Sequence, residues 1–183
     1  SINSSCSHKN ESDVKNVVKT ELDQLKNLDS ETTQKYIPYT ELFPDATENT
    51  DLSDEITETF SLFFRKFDYK ISDVSISAEN NSATVSVKLT TINSQILARD
   101  FKTELLQTQI TEAAQAQTGS TKDSSRSLEA HYLILNHLLN TNEYDTAETD
   151  CNIQLVNTGN DKKEKWKIQR TNSLEDDLVG GLI

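Results

Sequence analysis

The stretch DVSISAENNSATVSVKL (73–89) decides the architecture. Val74, Ile76 and Ala78 alternate with Asp73, Ser75 and Ser77. Past the polar turn ENNS, Ala83, Val85, Val87 and Leu89 alternate with Thr84, Ser86, Lys88 and Thr90. A period of two puts each apolar set on one face of a strand, so the pair reads as a β-hairpin with one buried face. That apolar face must be covered, and the flanking sequence supplies helices to do it.

Upstream, Val14, Val17, Val18, Leu22, Leu25 and Leu28 recur at steps of three and four, which predicts one helix capped by Ser12 or Asp13. YIPYTELFPDATENT (36–50) reads as a loop punctuated by Pro38 and Pro44. Asp51 caps a second helix whose stripe is Leu52, Ile56, Phe60, Phe63, Phe64 and Phe67. Downstream, residues 92–117 return to helix. Asn93 is its cap, and Ile96, Leu97, Phe101, Leu105 and Ala113 or Ala114 are placed on one side.

TGSTKDSSRS (118–127) is a linker of turn formers. The next helix, SLEAHYLILNHLLN, is capped by Ser127 and points Leu128, Tyr132, Leu135, Leu138 and Leu139 inward. A second hairpin follows, with Ala147, Thr149, Cys151, Ile153 and Leu155 alternating along one arm and Trp166 and Ile168 sharing a face on the other. NSLEDDLVGGLI closes the chain as a short helix stopped by Gly180 and Gly181. The expected fold is α+β: a curved antiparallel sheet of about four strands packed against helices. Residues 1–11 form a polar N-terminal tether, and 12–183 a single domain.

Composition narrows the function. The chain has 183 residues and a formal charge of -12, with Lys and Arg clustering only in DKKEKWK. An acidic surface repels phosphate backbones and anionic headgroups, which argues against nucleic acid as a partner. No run approaches the roughly 18 apolar residues of a membrane span.

Chemistry-bearing motifs are sparse. GxSxG and phosphate-cradling glycine loops are absent, so no cofactor is expected. His131 and His137 lie six residues apart, on different sides of a helix, and cannot share a metal; His8 is in the tether. Asp145, Glu148 and Asp150 lack the spacing of a calcium loop. The acids of LEDDL sit where a helix dipole favours them. Cys6 falls in the tether and Cys151 in a strand. Cys151 is expected on the core face as a small apolar residue, with a disulfide to Cys6 as the alternative. Phe64, Tyr132 and Trp166 are candidates to line an apolar pocket between sheet and helices, with plain core as the other reading.

Two runs carry a resemblance: ATVSVKLTTINSQILARDFKTELL (83–106) and EKWKIQRTNSLEDDLVGGL (164–182). With the two leading helices, they resemble lipoproteins of Gram-positive bacteria that have a nuclear-transport-factor-2-like or cystatin-like domain and no agreed activity. The resemblance implies export and an N-terminal lipid on a cysteine. Asn3, Ser4 and Ser5 precede Cys6, and Asn3 stands where such a signal expects Leu. A cysteine just upstream of Ser1 is therefore the first choice of anchor and Cys6 the second. The function implied is a non-enzymatic, extracytoplasmic, membrane-tethered protein binding a small apolar molecule or an envelope protein. Two alternatives stay open. One is a cone-fold isomerase- or dehydratase-like enzyme with a buried carboxylate; the other is a purely structural interaction module.

Overall fold

The computed structural model describes residues 2–36, 54–117 and 128–180, with side chains from residue 10 of the first span and residue 58 of the second onward. The expected loop 37–50, the linker 118–127, the caps Asp51 and Ser127, the side chains of Leu52 and Ile56, and Gly181 lie outside these.

The elements are α1 (Ile2–Lys26), α2 (Ser30–Lys35), α3 (Asp54–Phe63), β1 (Asp68–Ile76), β2 (Ser82–Ile92), α4 (Ser94–Gln117), α5 (Leu128–Thr141), β3 (Thr146–Asn157), β4 (Trp166–Ile168) and α6 (Asn172–Leu178). The four strands form one open antiparallel sheet in chain order. The α+β class and the helix-covered sheet are as expected.

The 73–89 hairpin forms in the register its alternation demands, with Val74 opposite Val85 and Ile76 opposite Ala83. Its turn is held by side-chain mimicry of backbone. The Ser77 hydroxyl accepts from the Asn81 and Ser82 amides at 3.3 and 3.2 Å. Asn80 takes a left-handed φ of 56°, which Asn tolerates better than most residues. A bulge at Ser72 interrupts the pairing with β2. On β2, Ala83, Val85, Val87 and Leu89 face the helices and are buried; on β3, Cys151, Ile153 and Leu155 do the same. The opposite face is polar and wet, with Thr84 bonded to Gln154 at 2.8 Å and Ser86 to Asn152 at 3.0 Å.

α1 differs from the expected helix at both ends. It begins at Ile2 rather than at a cap on Ser12 or Asp13, so the stretch read as an irregular tether is helical backbone. Elongation adds one hydrogen bond per residue once the buried turns from Val14 onward supply the nucleus, and the polar residues before it do not prevent it. At the other end the helix stops at Lys26, before Leu28. The Leu28 amide bonds to the Leu25 carbonyl at 3.1 Å, and Asp29 to Gln24 at 2.9 Å. This is a Schellman ending with Leu28, φ 61°, where glycine is usual. The cost of a left-handed Leu is roughly 1–2 kcal/mol. Asp29 then caps α2, accepting from the Thr32 amide at 3.1 Å. The two-turn α2 has no apolar stripe and escaped the periodicity reading.

α2 ends against Tyr36, which is 1% exposed. Its hydroxyl donates to Glu21 of α1 at 3.0 Å. Lys35 and Arg170 lie over its ring at 5.3 and 5.4 Å, and Arg170 reaches Glu175 of α6 at 3.0 Å. Burial, then the neighbouring Glu21, pushes the phenol well above its ordinary range, so it stays a donor. α6 starts on Thr171, whose hydroxyl accepts from the Leu174 amide at 3.1 Å. It ends at Gly180, φ 66°, where a Cβ would lie 2.1 Å from the Ile92 carbonyl oxygen. Beside it the Ser94 hydroxyl donates to the Val179 carbonyl at 2.6 Å, pinning α6 to the root of α4.

Candidate functional site

Phe64, Tyr132 and Trp166 are 1%, 0% and 6% exposed and belong to one hydrophobic core. Each engages a different neighbour. Phe64 stands edge-on to Phe67 with centroids 5.9 Å apart, and Tyr132 edge-on to Phe60 at 5.3 Å. The Trp166 indole N–H donates to Glu164 at 3.0 Å. Sequence periodicity placed these rings inward, and they are buried.

Carboxylates lie toward the surface. Among the described residues, no Asp or Glu is in the buried set; its polar members are Thr32, Thr33, Thr59, Thr91, Ser94 and His131. On α6, Asp176 has one side-chain oxygen shut off from solvent, and Asp177 lies beside the buried Cys151 thiol. Burial raises the Asp177 carboxyl above its usual value, and Asp176 adds to the rise. Burial, and then the Asp177 charge, pushes the Cys151 thiol up to about 12. A thiol so protonated is a poor nucleophile. Cys151 is a free, buried thiol, on the core face as expected. Cys6 lies on α1 backbone, its side chain outside the described set.

His131 is buried, its ring 5.7 Å from Phe101, whereas His137 is exposed, so the two occupy different faces of α5. Among the described residues, no group of three or more His, Cys, Asp or Glu side chains could hold a metal.

The concave surface lies at one end of the sheet. An open groove of about 910 Å³ is lined by Asn10 and Asp13 of α1, by Ile76 through Asn80 at the β1–β2 turn, and by Asp161 through Glu164 before β4. Three separate chain segments meet there through a small network. The Asn80 amide donates to Glu164 at 2.8 Å, and Glu164 also receives the Trp166 N–H. Asn157 donates from its backbone to the Asn81 carbonyl at 2.9 Å and from its side chain to that of Asn80 at 3.0 Å. Trp166 thus bears on the groove only through its N–H, with its ring in the core.

The lining carries the carboxylates Asp13, Glu79, Asp161 and Glu164 against Lys162 and Lys163; among the described lining residues only Ile76 and Ala78 are apolar. Such a surface can recognise hydrogen-bonding and charged groups. Among the described lining residues no carboxylate is fully buried. Sequence reasoning missed the groove because its walls come from polar turns, whose residues read as ordinary solvated loops. The signal available was the pair of Asn-rich turns, ENNS and NTGNDKK, at the same end of two successive hairpins.

Fold and groove together define an open-sheet α+β domain whose concave surface is polar and solvent-facing. No protein-family model matches the chain, and no curated protein or solved structure matches it either.

Proposed function

We propose that this protein is a non-enzymatic binding module of the cell envelope, held outside the membrane by an N-terminal lipid, and that it captures a polar ligand or a protein loop in the groove. The observation that carries the binding role is the groove itself: a concavity built from three chain segments around Asn80 and Glu164. The apolar-ligand version places its ligand beside Phe64, Tyr132 and Trp166, whose rings are buried in the core, whereas the groove is open and polar. The lipid anchor and the nuclear-transport-factor-2-like or cystatin-like assignment rest on the resemblance of residues 83–106 and 164–182. Helices covering one face of an antiparallel sheet are compatible with that assignment. No helix among the described residues is long and apolar enough to cross a membrane. With α1 helical from Ile2, the link to the anchor rises only about 1.5 Å per residue and is stiffer than an extended tether.

Native mass spectrometry of gently purified protein tests the groove, beside a variant carrying Asn80→Ala and Glu79→Ala. A bound mass or ligand-panel stabilisation that the variant loses supports it. A clean apo mass without stabilisation by any panel member counts against it. Palmitate-analogue labelling in the native host, with Cys6→Ser and a variant of any upstream cysteine, tests the anchor. Label lost with one cysteine supports it, and an unlabelled cytosolic product overturns it.

A further inference from the structure

The two edges of the sheet are protected to different degrees. At one edge β1 carries a bulge at Ser72 and charges of both signs, Asp68, Lys70 and Asp73. Bulges and edge lysines are devices that keep a strand from pairing with another chain. At the other edge β3 has 12 residues and β4 only three. β4 pairs with Leu155–Asn157, and the Gln169 amide adds one bond to the Gln154 carbonyl at 2.8 Å. The chain then turns into α6, which packs against β3 with Asp177 beside the core-facing Cys151 thiol. Among the described residues, no strand pairs with Thr146–Ile153 on this side. Because the Gln154 carbonyl points to β4, strand alternation points the backbone N–H and C=O groups of Asn152, Asp150 and Glu148 the same way. This stretch has no bulge, proline, glycine or lysine.

We propose that this edge takes an extended basic segment of another protein, laid antiparallel to β3 in line with β4. Charge selects the occupant. Glu148 and Asp150 are exposed on the outer face of the sheet, and the exposed Glu143 and Asp145 lead into the strand. No Lys or Arg occurs in the sequence between Arg126 and Lys162. Lys88 stands opposite Asp150 on β2, and Lys66 donates to the Tyr144 carbonyl. Among the described residues, neither lysine forms an ion pair with the four acids. A second copy of a chain of net charge -12 is repelled from such an edge, whereas a strand bearing cations is drawn to it. Register sets the motif. Residues laid opposite Glu148 and Asp150 stand two apart and share their outer face, so the fitting segment carries Lys or Arg at alternate positions. The side chain between them falls on the core side with the half-buried Thr149, which suits a β-branched residue. Main-chain bonds to the open edge supply affinity, and the alternating cations supply specificity.

Fluorescence anisotropy of the full chain with a fluorescein-labelled peptide amide, TVKVKVT, at low ionic strength tests it. The expected result is saturable binding that Glu148→Gln combined with Asp150→Asn weakens about tenfold or more. The melting temperature should change little, because both sites are exposed. The same peptide with N-methyl groups on the backbone nitrogens of its two lysines keeps both charges and loses the ladder donors. It should bind about tenfold more weakly or worse. Glu79→Ala combined with Asn80→Ala, in the groove, should leave peptide binding unchanged. No saturable binding of TVKVKVT overturns the proposal, as does binding that the Glu148 and Asp150 substitutions leave intact. Equal binding of the N-methylated peptide also overturns it, since charge attraction alone would then suffice. So does loss of binding in the groove variant, which would move the peptide there.

Discussion

α1 and α4 are nearly equal in length, 25 and 24 residues, and opposite in fate. α1 buries Val14, Val18, Leu22 and Leu25 and packs along β1, β2 and β4. α4 buries Ser94 and Leu97 in its first turn, half-buries Phe101 against His131, and leaves most of its later residues exposed. Apolar spacing accounts for the contrast. The α1 residues fall on one stripe. In α4, Leu97, Phe101 and Leu105 recur at steps of four and are buried or half-buried, while Ile96, Leu106 and Ile110 fall on other sides and are exposed. A long helix is therefore held by where its apolar residues fall, more than by how many it has.

The largest test of this contrast is a matched pair of truncations. Leu22→Ala, at a site 2% exposed, should cost about 2–5 kcal/mol in chemical denaturation. Leu106→Ala should change monomer stability by less than about 0.5 kcal/mol. Equal losses would break the comparison. Next comes the root of α4. Gly180→Ala forces a left-handed alanine and drives its Cβ toward the Ile92 carbonyl, so a loss of about 2 kcal/mol or more is expected in the same assay.

Smaller is the clamp of α1 on β1. The Tyr69 hydroxyl donates to Asp23 at 2.5 Å, and Lys19 also holds that carboxylate. The Lys19 bond, then the Tyr69 bond, lowers the Asp23 pKa below its ordinary value of 3.8. A depressed folded pKa gives stability that is present above the unfolded value and lost as pH falls through the folded one. Tyr69→Phe should cost about 1 kcal/mol near neutral pH. It should also flatten the loss of melting temperature below pH 3.8; an unchanged acid limb would remove Asp23 from the account.

The opposite sign is expected at Asp177, whose carboxyl burial raises. Its contribution is fully present below the unfolded pKa and lost as pH rises through the higher folded one. Asp177→Asn should therefore raise the melting temperature at neutral pH and do less at acid pH; a drop at neutral pH would refute the sign. The smallest effect is Thr108→Ala in α4, where the Thr108 hydroxyl bonds back to the Glu104 carbonyl at 2.9 Å. Better helix propensity should slow amide exchange locally in 105–117 while global stability barely moves.

By itself the sequence determined the local order: two hairpins, the helices that cover them, the core residues on each stripe, the capping of α4 by Asn93 and the stop at Gly180. These follow from neighbours within a few positions, where a period of two or 3.6 decides which face is apolar. Tertiary structure alone decided the rest. It carried α1 back to Ile2, because elongation follows the turns from Val14 onward that are buried against the sheet. It stopped α1 short of Leu28, and built α2 around Thr32, Thr33 and Tyr36, none of which signals a helix by pattern. It gathered Phe64, Tyr132 and Trp166 into one buried core with residues from distant segments. It also brought Asn80 and Glu164, 84 residues apart, into one groove wall. A groove is a property of how surfaces meet, and polar turns carry no periodicity from which that meeting can be read.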